Sequence, residues 1–324
     1  MRMTVLASGS KGNSTVIATD NTRLLIDAGL SCRELLKRMA TAGEDPAALA
    51  AILITHEHQD HIAGIGVLAR RLRIPVYFTE PTHRAWARLL TPKTTMSYSK
   101  WLELRAAEQH ARQDEAAHAP AHTLAAVAVA EPEPEPQLEP EDLPAPQAAT
   151  AAKPDSTFLP AVEYFRAGHA FSIGEIDISP FTIPHDAADP VGFTFRVEGA
   201  KVSVATDLGY LPVNVRDHLR GSDILIMESN HDVEMLRGGS YPWSVKQRVA
   251  SNVGHLSNEK LADFFTGDYD NGAAFVVLAH LSEQNNHPEI ARREAEKALG
   301  QRGGLFQNRV LVAVQSEVLP PIRL

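Results

Sequence analysis

The chain has 324 residues, 44% of them hydrophobic, which is enough to bury one large core or two smaller ones. No apolar run reaches the roughly 18 residues of a membrane span, and the N-terminus lacks the apolar stretch and cleavage site of a secretory signal. The single cysteine, Cys32, excludes an internal disulfide and fits a reducing compartment. We therefore expect a cytoplasmic protein with no membrane partner.

The formal net charge of −9 is concentrated in one stretch of the chain. Residues 105–160 contain three Lys/Arg and ten Asp/Glu, a net of −7, so the rest of the chain carries only about −2. The wider segment 104–160 is rich in alanine and includes an alternating Glu-Pro run, whose charges repel one another. We expect a disordered insert within a single domain spanning 1–324. The insert's sequence indicates no particular protein partner, and net charge does not decide whether the domain binds nucleic acid.

Strand and helix patterns interleave along the rest of the chain. The first two strands are expected to form a hairpin around Asp20-Asn21. Strands are predicted at 15–20, 22–27, 51–55, 75–79, 176–184, 191–207 (a pair joined at Gly199-Ala200), 223–228, 274–280 and 309–314. Helices are predicted at 31–42, 62–73, 243–253, 258–266 and 288–300. This order predicts mixed β-sheets flanked by helices.

Directly after the short apolar strand at 51–55 comes a cluster of metal-binding residue types, Thr55-His56-Glu57-His58-Gln59-Asp60-His61. Imidazole nitrogens and carboxylate oxygens are ligands of divalent metals such as zinc. On an extended backbone His56 and His58 point to the same side, because side chains alternate with a period of two. Asp60 and His61 then point towards a neighbouring position, which suggests a second metal.

This loop alone supplies too few ligands for complete metal sites, so further ligands are expected at other strand ends. Three residues meet that expectation: His185 follows a predicted strand, and Asp207 and His280 each end one. A single histidine or aspartate at such a position is most often a satisfied polar strand end. Together with the histidine cluster, all three are better interpreted as metal ligands.

The sequence resembles the metallo-β-lactamase superfamily over nearly its whole length apart from the insert, and within it the bacterial YycJ/WalJ branch, near ribonuclease Z. The resemblance rests on the histidine cluster and on several further motifs, among them Ser8-Gly9-Ser10-Lys11-Gly12-Asn13-Ser14, Leu25-Ile26-Asp27-Ala28-Gly29, Thr206-Asp207-Leu208-Gly209, Glu228-Ser229-Asn230-His231-Asp232, Gly254-His255-Leu256-Ser257-Asn258 and His280-Leu281-Ser282-Glu283-Gln284-Asn285-Asn286. It implies a four-layer αββα sandwich with two mixed β-sheets.

The resemblance also implies a ligand assignment for two divalent ions, Zn²⁺ or Mn²⁺. One metal is assigned to His56, His58 and His185. The other is assigned to Asp60, His61 and His280, and Asp207 bridges the two. Asp27 is expected to support the metal loop without binding metal itself.

The activity implied by the resemblance is that of a phosphodiesterase-type nuclease, a 5′–3′ exonuclease-like enzyme on DNA rather than RNA. A hydroxide bridging the metals would attack phosphorus, with Asp60 orienting it. His255 is the expected general acid or phosphate contact, although its turn could equally be a helix cap. Contacts to substrate are expected from Ser257, Asn258 and Asn285.

The main alternative is a carboxylic-ester or thioester hydrolase of the glyoxalase II-like or lactonase-like kind, because the same metal ligands serve that chemistry. His255 and the polar residues after it favour phosphate chemistry. A β-lactamase is disfavoured by His61 and by the lack of a cysteine ligand. A non-catalytic partner protein is disfavoured by the complete ligand set.

Overall fold

The computed structural model describes residues 1–91, 102, 105, 156–300 and 308–324. Contacts divide the chain into two units, Met1–Leu90 with Ser156–Leu324, and Thr91–Asp155. Most of the predicted disordered insert, 104–160, therefore lies outside the described residues. Its last five residues belong to the first unit, where buried Leu159 packs into a hydrophobic cluster. Within the described ranges no helix combines the length and the apolar character needed to cross a membrane.

The described part of the chain alternates between strands and helices. The strands are β1 (Arg2–Ala7), β2 (Ser14–Ala18), β3 (Arg23–Ile26), β4 (Leu49–Leu53), β5 (Val76–Phe78), β6 (Val162–Tyr164), β7 (Phe171–Ile173), β8 (Ile176–Thr182), β9 (Val191–Val197), β10 (Ala200–Ala205), β11 (Ile224–Glu228), β12 (Phe275–Ala279), β13 (Arg309–Val312) and β14 (Ile322–Arg323). The helices are α1 (Cys32–Thr41), α2 (Gln59–Ile62), α3 (Ile65–Leu72), α4 (Glu80–Leu90), α5 (Val213–Leu219), α6 (Val233–Gly238), α7 (Trp243–Val249), α8 (Asn258–Gly267) and α9 (Pro288–Gly300). One 3₁₀ turn, Pro46–Ala48, precedes β4.

The strands form two seven-stranded mixed sheets. In the first sheet the order is β14-β1-β2-β3-β4-β5-β6, antiparallel from β14 to β3 and parallel from β3 to β6. In the second the order is β13-β12-β11-β10-β9-β8-β7, antiparallel from β7 to β10 and parallel from β10 to β13. The parallel halves matter for function, because their strands all end at the same edge of the sheet.

Three hydrophobic clusters define four layers. The central cluster joins the facing sides of the two sheets, with Leu24 and Ile26 from the first and Phe193 and Val204 from the second. A second cluster lies between the other face of the second sheet and α5, α8 and α9. The third lies between the first sheet and α1, α3 and α4, where Trp86 is buried. The predicted αββα sandwich with two mixed sheets is confirmed.

Several elements differ from the sequence prediction. The hairpin at Asp20-Asn21 is present as β2 and β3. The helix predicted at 62–73 is divided at Gly64, where a Cβ would lie 2.2 Å from the Leu30 carbonyl oxygen, so the chain there approaches another backbone too closely for a side chain. Sequence analysis missed β1 and α4, although Pro81 in the first turn of α4 is a typical helix-start signal.

Candidate metal centre

The loop after β4, which carries His56 to His61, is fixed by backbone hydrogen bonds from two neighbouring loops. The backbone N–H of Asn13 donates to the carbonyl of Asp60 at 2.7 Å, and that of Ala28 donates to the carbonyl of His61 at 2.8 Å. At Gly29 a Cβ would lie only 1.6 Å from the Asp60 carbonyl oxygen. Only glycine allows this close approach, so the short backbone contacts fix the position from which the loop presents its side chains.

Strand ends bring the remaining predicted ligands to the same place. His185 follows β8, Asp207 follows β10 and His280 follows β12, and all three side chains are buried. Asp207 and His280 have positive φ angles of 62° and 55°, a conformation that few non-glycine residues adopt. Such backbone strain is typical of positions where the direction of a side chain is functionally important.

Among the described residues, groups of side chains with potential ligand atoms within 4.8 Å of one another meet at this edge. His56, His58 and His185 form one group. Asp60, His61 and His280 form another, and a third connects the two because it consists of His56, His61 and Asp207. The structure therefore brings together all seven residues that the sequence predicted as ligands.

Two buried atoms of this cluster make no hydrogen bond within the described structure, His56 Nε2 and Asp207 Oδ2. A buried polar atom without a partner costs free energy, so such atoms are rare unless something else binds them. An imidazole nitrogen and a carboxylate oxygen are both good ligands for a divalent cation. The residues present thus fit a metal centre.

Glu228, at the end of β11, is the residue that sequence analysis missed. Its Oε2 accepts hydrogen bonds from the backbone N–H groups of Leu208 (2.9 Å) and Leu256 (3.0 Å). Its Oε1 lies 2.8 Å from His255 Nδ1 and 2.7 Å from His280 Nδ1. Four donors occupy the lone pairs of this fully buried carboxylate, so it orients the two rings rather than binding metal.

Asp27 orients the ring of His61 as Glu228 orients the rings of His255 and His280. Its Oδ2 lies 2.8 Å from His61 Nδ1, and Thr55 donates to both carboxylate oxygens through its backbone N–H and its hydroxyl. Asp27 is buried and has a positive φ of 57°. With Nδ1 facing Asp27, His61 presents Nε2 to the cluster, where Asn13 Nδ2 approaches it at 3.0 Å.

His255 belongs to a fourth group of potential ligand atoms, which it forms with Glu228 and the predicted ligands Asp207 and His280. Its ring centroid is 5.2 Å from that of His185 and 5.1 Å from that of His280. Its side chain is 22% exposed, whereas His56, His61, His185 and His280 are buried. Because Nδ1 faces Glu228, any proton that His255 exchanges with a substrate is held at Nε2.

The predicted substrate contacts Ser257, Asn258 and Asn285 lie inside the protein, each at most 3% exposed. Ser257 caps α8 by accepting from the N–H of Lys260, and the amide of Asn258 bonds to Ser229 and Asn286. Asn285 is held by Ser282. These three buried side chains therefore support the loops of the metal centre through hydrogen bonds within the protein.

Comparison with known proteins decides the family. The family model described as the metallo-beta-lactamase superfamily matches residues 7–241. This chain belongs to the metallo-β-lactamase superfamily. It is 32% identical to the exodeoxyribonuclease YycJ of Bacillus anthracis over 94% of this chain and 90% of that protein, and 33% identical to the exodeoxyribonuclease WalJ of Streptococcus pneumoniae over 93% and 88%. The crystal structure of the metallo-β-lactamase fold protein YhfI from Bacillus subtilis superposes with a TM-score of 0.59, at 16% identity and 98% coverage of each chain.

Membership of the metallo-β-lactamase superfamily, together with the clusters of histidine and aspartate, implies that this centre binds divalent metal ions. The charges of the cluster fit that role. Burial raises the pKa of Asp207, but the neighbouring His280 and His61 outweigh it and hold the pKa well below its usual value. Asp60 behaves in the same way, with its pKa lowered mainly by His61 against the effect of burial. Both carboxylates are therefore ionised at neutral pH.

The histidines of this metal centre fall into two groups according to the direction in which their pKa values are shifted. Burial holds the pKa of His56 well below its usual value, so its ring is neutral and ready to bind a cation. For His61 and His280 burial acts in the same direction, but the nearby Asp207 outweighs it and the pKa values rise well above normal. Without metal these two rings are cationic, so metal binding has to displace protons from them.

Proposed function

We propose that this chain is a metal-dependent nuclease that hydrolyses phosphodiester bonds in DNA, as a 5′–3′ exonuclease. One structural feature carries the proposal: His255, a partly exposed histidine outside the predicted ligand set, is held by Glu228 beside the metal centre, where it can serve as a proton donor. The names of the two relatives that align with most of the chain support DNA as the substrate. RNA is an outcome that the experiment below distinguishes.

Our proposed ligand assignment uses two divalent ions, Zn²⁺ or Mn²⁺. His56, His58 and His185 would hold one ion, Asp60, His61 and His280 would hold the other, and Asp207 would be a ligand shared by both. The overlap of the three ligand groups supports a pair of ions rather than one. Glu228 and Asp27 would fix the tautomers of His280 and His61, because a carboxylate at Nδ1 leaves the lone pair on Nε2 free for a metal.

The bound ions would supply a nucleophilic hydroxide at neutral pH and neutralise charge on the phosphate. Asp60 adds an ionised carboxylate to the metal centre, and its Oδ2 is held there by Asn13 Nδ2 at 3.2 Å and His280 Nε2 at 3.3 Å. That position allows Asp60 to orient the nucleophile.

The departing oxygen of a nucleotide is a poor leaving group until it receives a proton. His255 can deliver that proton from Nε2, since its Nδ1 stays bonded to Glu228 through the step. Burial raises the pKa of Glu228, but His255 and His280 outweigh burial and lower it to about 2. Glu228 thus remains anionic and holds the His255 ring through Nδ1.

We propose a supporting role for Ser257, Asn258 and Asn285, in place of contact with the substrate, because all three are buried and Ser257 and Asn258 are bonded to protein groups. The cytoplasm stays the proposed compartment, since Cys32 has no other cysteine in the chain with which to form a disulfide.

The function is tested with 5′-labelled single- and double-stranded DNA, the matching RNA, a thioester and a lactone, each with added Mn²⁺ or Zn²⁺. We expect metal-dependent release of nucleotides from DNA, and loss of that release in the Asp60→Ala variant. Turnover of the thioester or lactone without cleavage of DNA would replace the nuclease by the ester hydrolase. Faster cleavage of RNA than of DNA would correct the substrate.

A further inference from the structure

We name the segment 240–254 the α7 rim. It contacts loops of the metal centre near both of its ends. At its start, Ser240 Oγ lies 3.4 Å from Gln284 Oε1, in the loop that follows the ligand His280. Towards its end, Arg248 Nε donates to Asp186 Oδ2 at 2.5 Å, next to the ligand His185. The α7 rim therefore connects the loops after two proposed ligands.

The far end of α7 is attached directly to the proposed acid. The backbone N–H of His255 donates to the carbonyl of Val249 at 2.8 Å. At Gly254 a Cβ would lie 2.1 Å from the carbonyl oxygen of Arg248, so the turn packs tightly against the helix end. A ligand on α7 would thus be held at a fixed distance from His255.

An exposed aromatic side chain stands at the beginning of this helix. Trp243 is 69% exposed, the most exposed large hydrophobic residue among those described. Val249 lies six positions after Trp243, which corresponds to about 9 Å along a helix. That length equals about three base steps of a DNA strand.

The sequence around Trp243 is basic, and two of its three cations pair with carboxylates outside residues 235–258, Arg237 with Glu234 and Arg248 with Asp186. Residues 235–258 contain Arg237, Lys246 and Arg248 and no Asp or Glu, although the chain has a net charge of −9. Cationic side chains next to an exposed aromatic ring are the combination with which proteins hold a nucleic acid strand, the cations on phosphates and the ring on a base. Two other exposed aromatic residues of the described chain line clefts that contain acidic groups: Tyr164 lies with Glu80 and Asp189 beside Arg166, and Tyr210 lies with Asp263 and Asp268 beside Arg216 and Lys260.

We propose that Trp243 stacks on a base of the DNA strand held in the metal centre, within about three nucleotides of the bond that is cut, and that Lys246 and Arg248 contact its phosphates. The inference rests on the proposed nuclease function and makes it more specific. The stacking sets how the strand is positioned against His255. It recognises the flat face of a base and not its sequence.

Binding is measured without cleavage, in EDTA, by fluorescence anisotropy of a labelled duplex with a single-stranded 5′ extension. We expect the dissociation constant to rise about 5- to 150-fold in Trp243→Ala, the range for losing one base–aromatic stack, and less in Trp243→Phe. Phe158→Ala is the matched control, because Phe158 is 57% exposed but its carbonyl bonds to Arg70 on α3, and it should bind as wild type does.

A scan with single abasic sites locates the stacked base. In the wild-type protein one position near the cut should weaken binding, and in Trp243→Ala the same abasic site should have no further effect. Equal dissociation constants for the wild type and Trp243→Ala would overturn the inference. The two proposals fail separately: a wild type that cleaves no nucleic acid with added metal would refute the nuclease function, whereas equal dissociation constants on DNA that the wild type does cleave would refute only the stacking.

Discussion

Replacing Glu228 with glutamine tests how the metal centre is oriented. The amide keeps the size of the side chain but replaces one oxygen by an NH₂ group. Two backbone N–H groups face Oε2 and cannot become acceptors, so the NH₂ must turn towards the Nδ1 atoms of His255 and His280. Both rings then have to accept at Nδ1 and carry their proton on Nε2.

The consequence for His280 is direct, because a protonated Nε2 has no lone pair for a metal. Loss of an orienting carboxylate typically weakens metal binding about 10- to 100-fold, and we expect Glu228→Gln to fall in that range. Zinc affinity is measured by competition with a chromophoric chelator, and folding by urea denaturation. Glu44→Gln is the control: Glu44 is also a buried carboxylate, but it bonds to Arg2 and Thr4 away from the metal centre. Wild-type zinc affinity in Glu228→Gln would refute the reasoning.

Three further changes probe the loop, the fold and the acid. Gly29→Ala would place a Cβ 1.6 Å from the Asp60 carbonyl oxygen, so the metal loop must shift, and we expect zinc stoichiometry to fall while the protein stays folded by circular dichroism. Burial raises the pKa of Glu44, but Arg2 outweighs it and the pKa is lowered on folding, so the carboxylate stabilises the protein above its unfolded pKa and the effect is lost as the pH falls through the folded value. Urea denaturation should therefore show Glu44→Gln less stable than wild type by about 1.5–3 kcal/mol at pH 7, with a smaller difference near pH 3. His255→Gln should slow DNA cleavage about 10²- to 10⁴-fold but leave cleavage of a p-nitrophenyl phosphodiester nearly unchanged, since that leaving group departs without a proton; equal losses on both substrates would contradict the role of His255.

The residues that the structure brings together at the proposed metal centre could be predicted from the sequence because their signals are local. The histidine cluster directly follows a strand, and Asp207 and His280 each end a strand whose apolar pattern is easy to recognise. The parallel strands β10, β11 and β12 then bring these ends together without further information. Glu228 has the same signal at the end of β11, and applying the rule to every strand would have found it.

The orientation of these groups could not be predicted, because it depends on contacts between distant parts of the chain. Glu228 receives its donors from residues 20 to 52 positions away. Asn258 is a residue type that can contact a substrate, but its amide is hydrogen-bonded to Ser229 and Asn286, and only the folded structure shows this. The burial of Leu159 likewise depends on hydrophobic residues far away in the chain, such as Leu68 and Val76.

In the proposed function, DNA cleavage depends on the metal centre. This dependence is measured by titrating metal-free protein with Mn²⁺ or Zn²⁺ while following both the ions bound per chain and the release of nucleotides from 5′-labelled DNA. We expect two ions per chain, with cleavage rising as the pair is completed, and neither full binding nor cleavage in Asp207→Asn. Cleavage that persists in a chelator, or that is unaffected by Asp207→Asn, would contradict it.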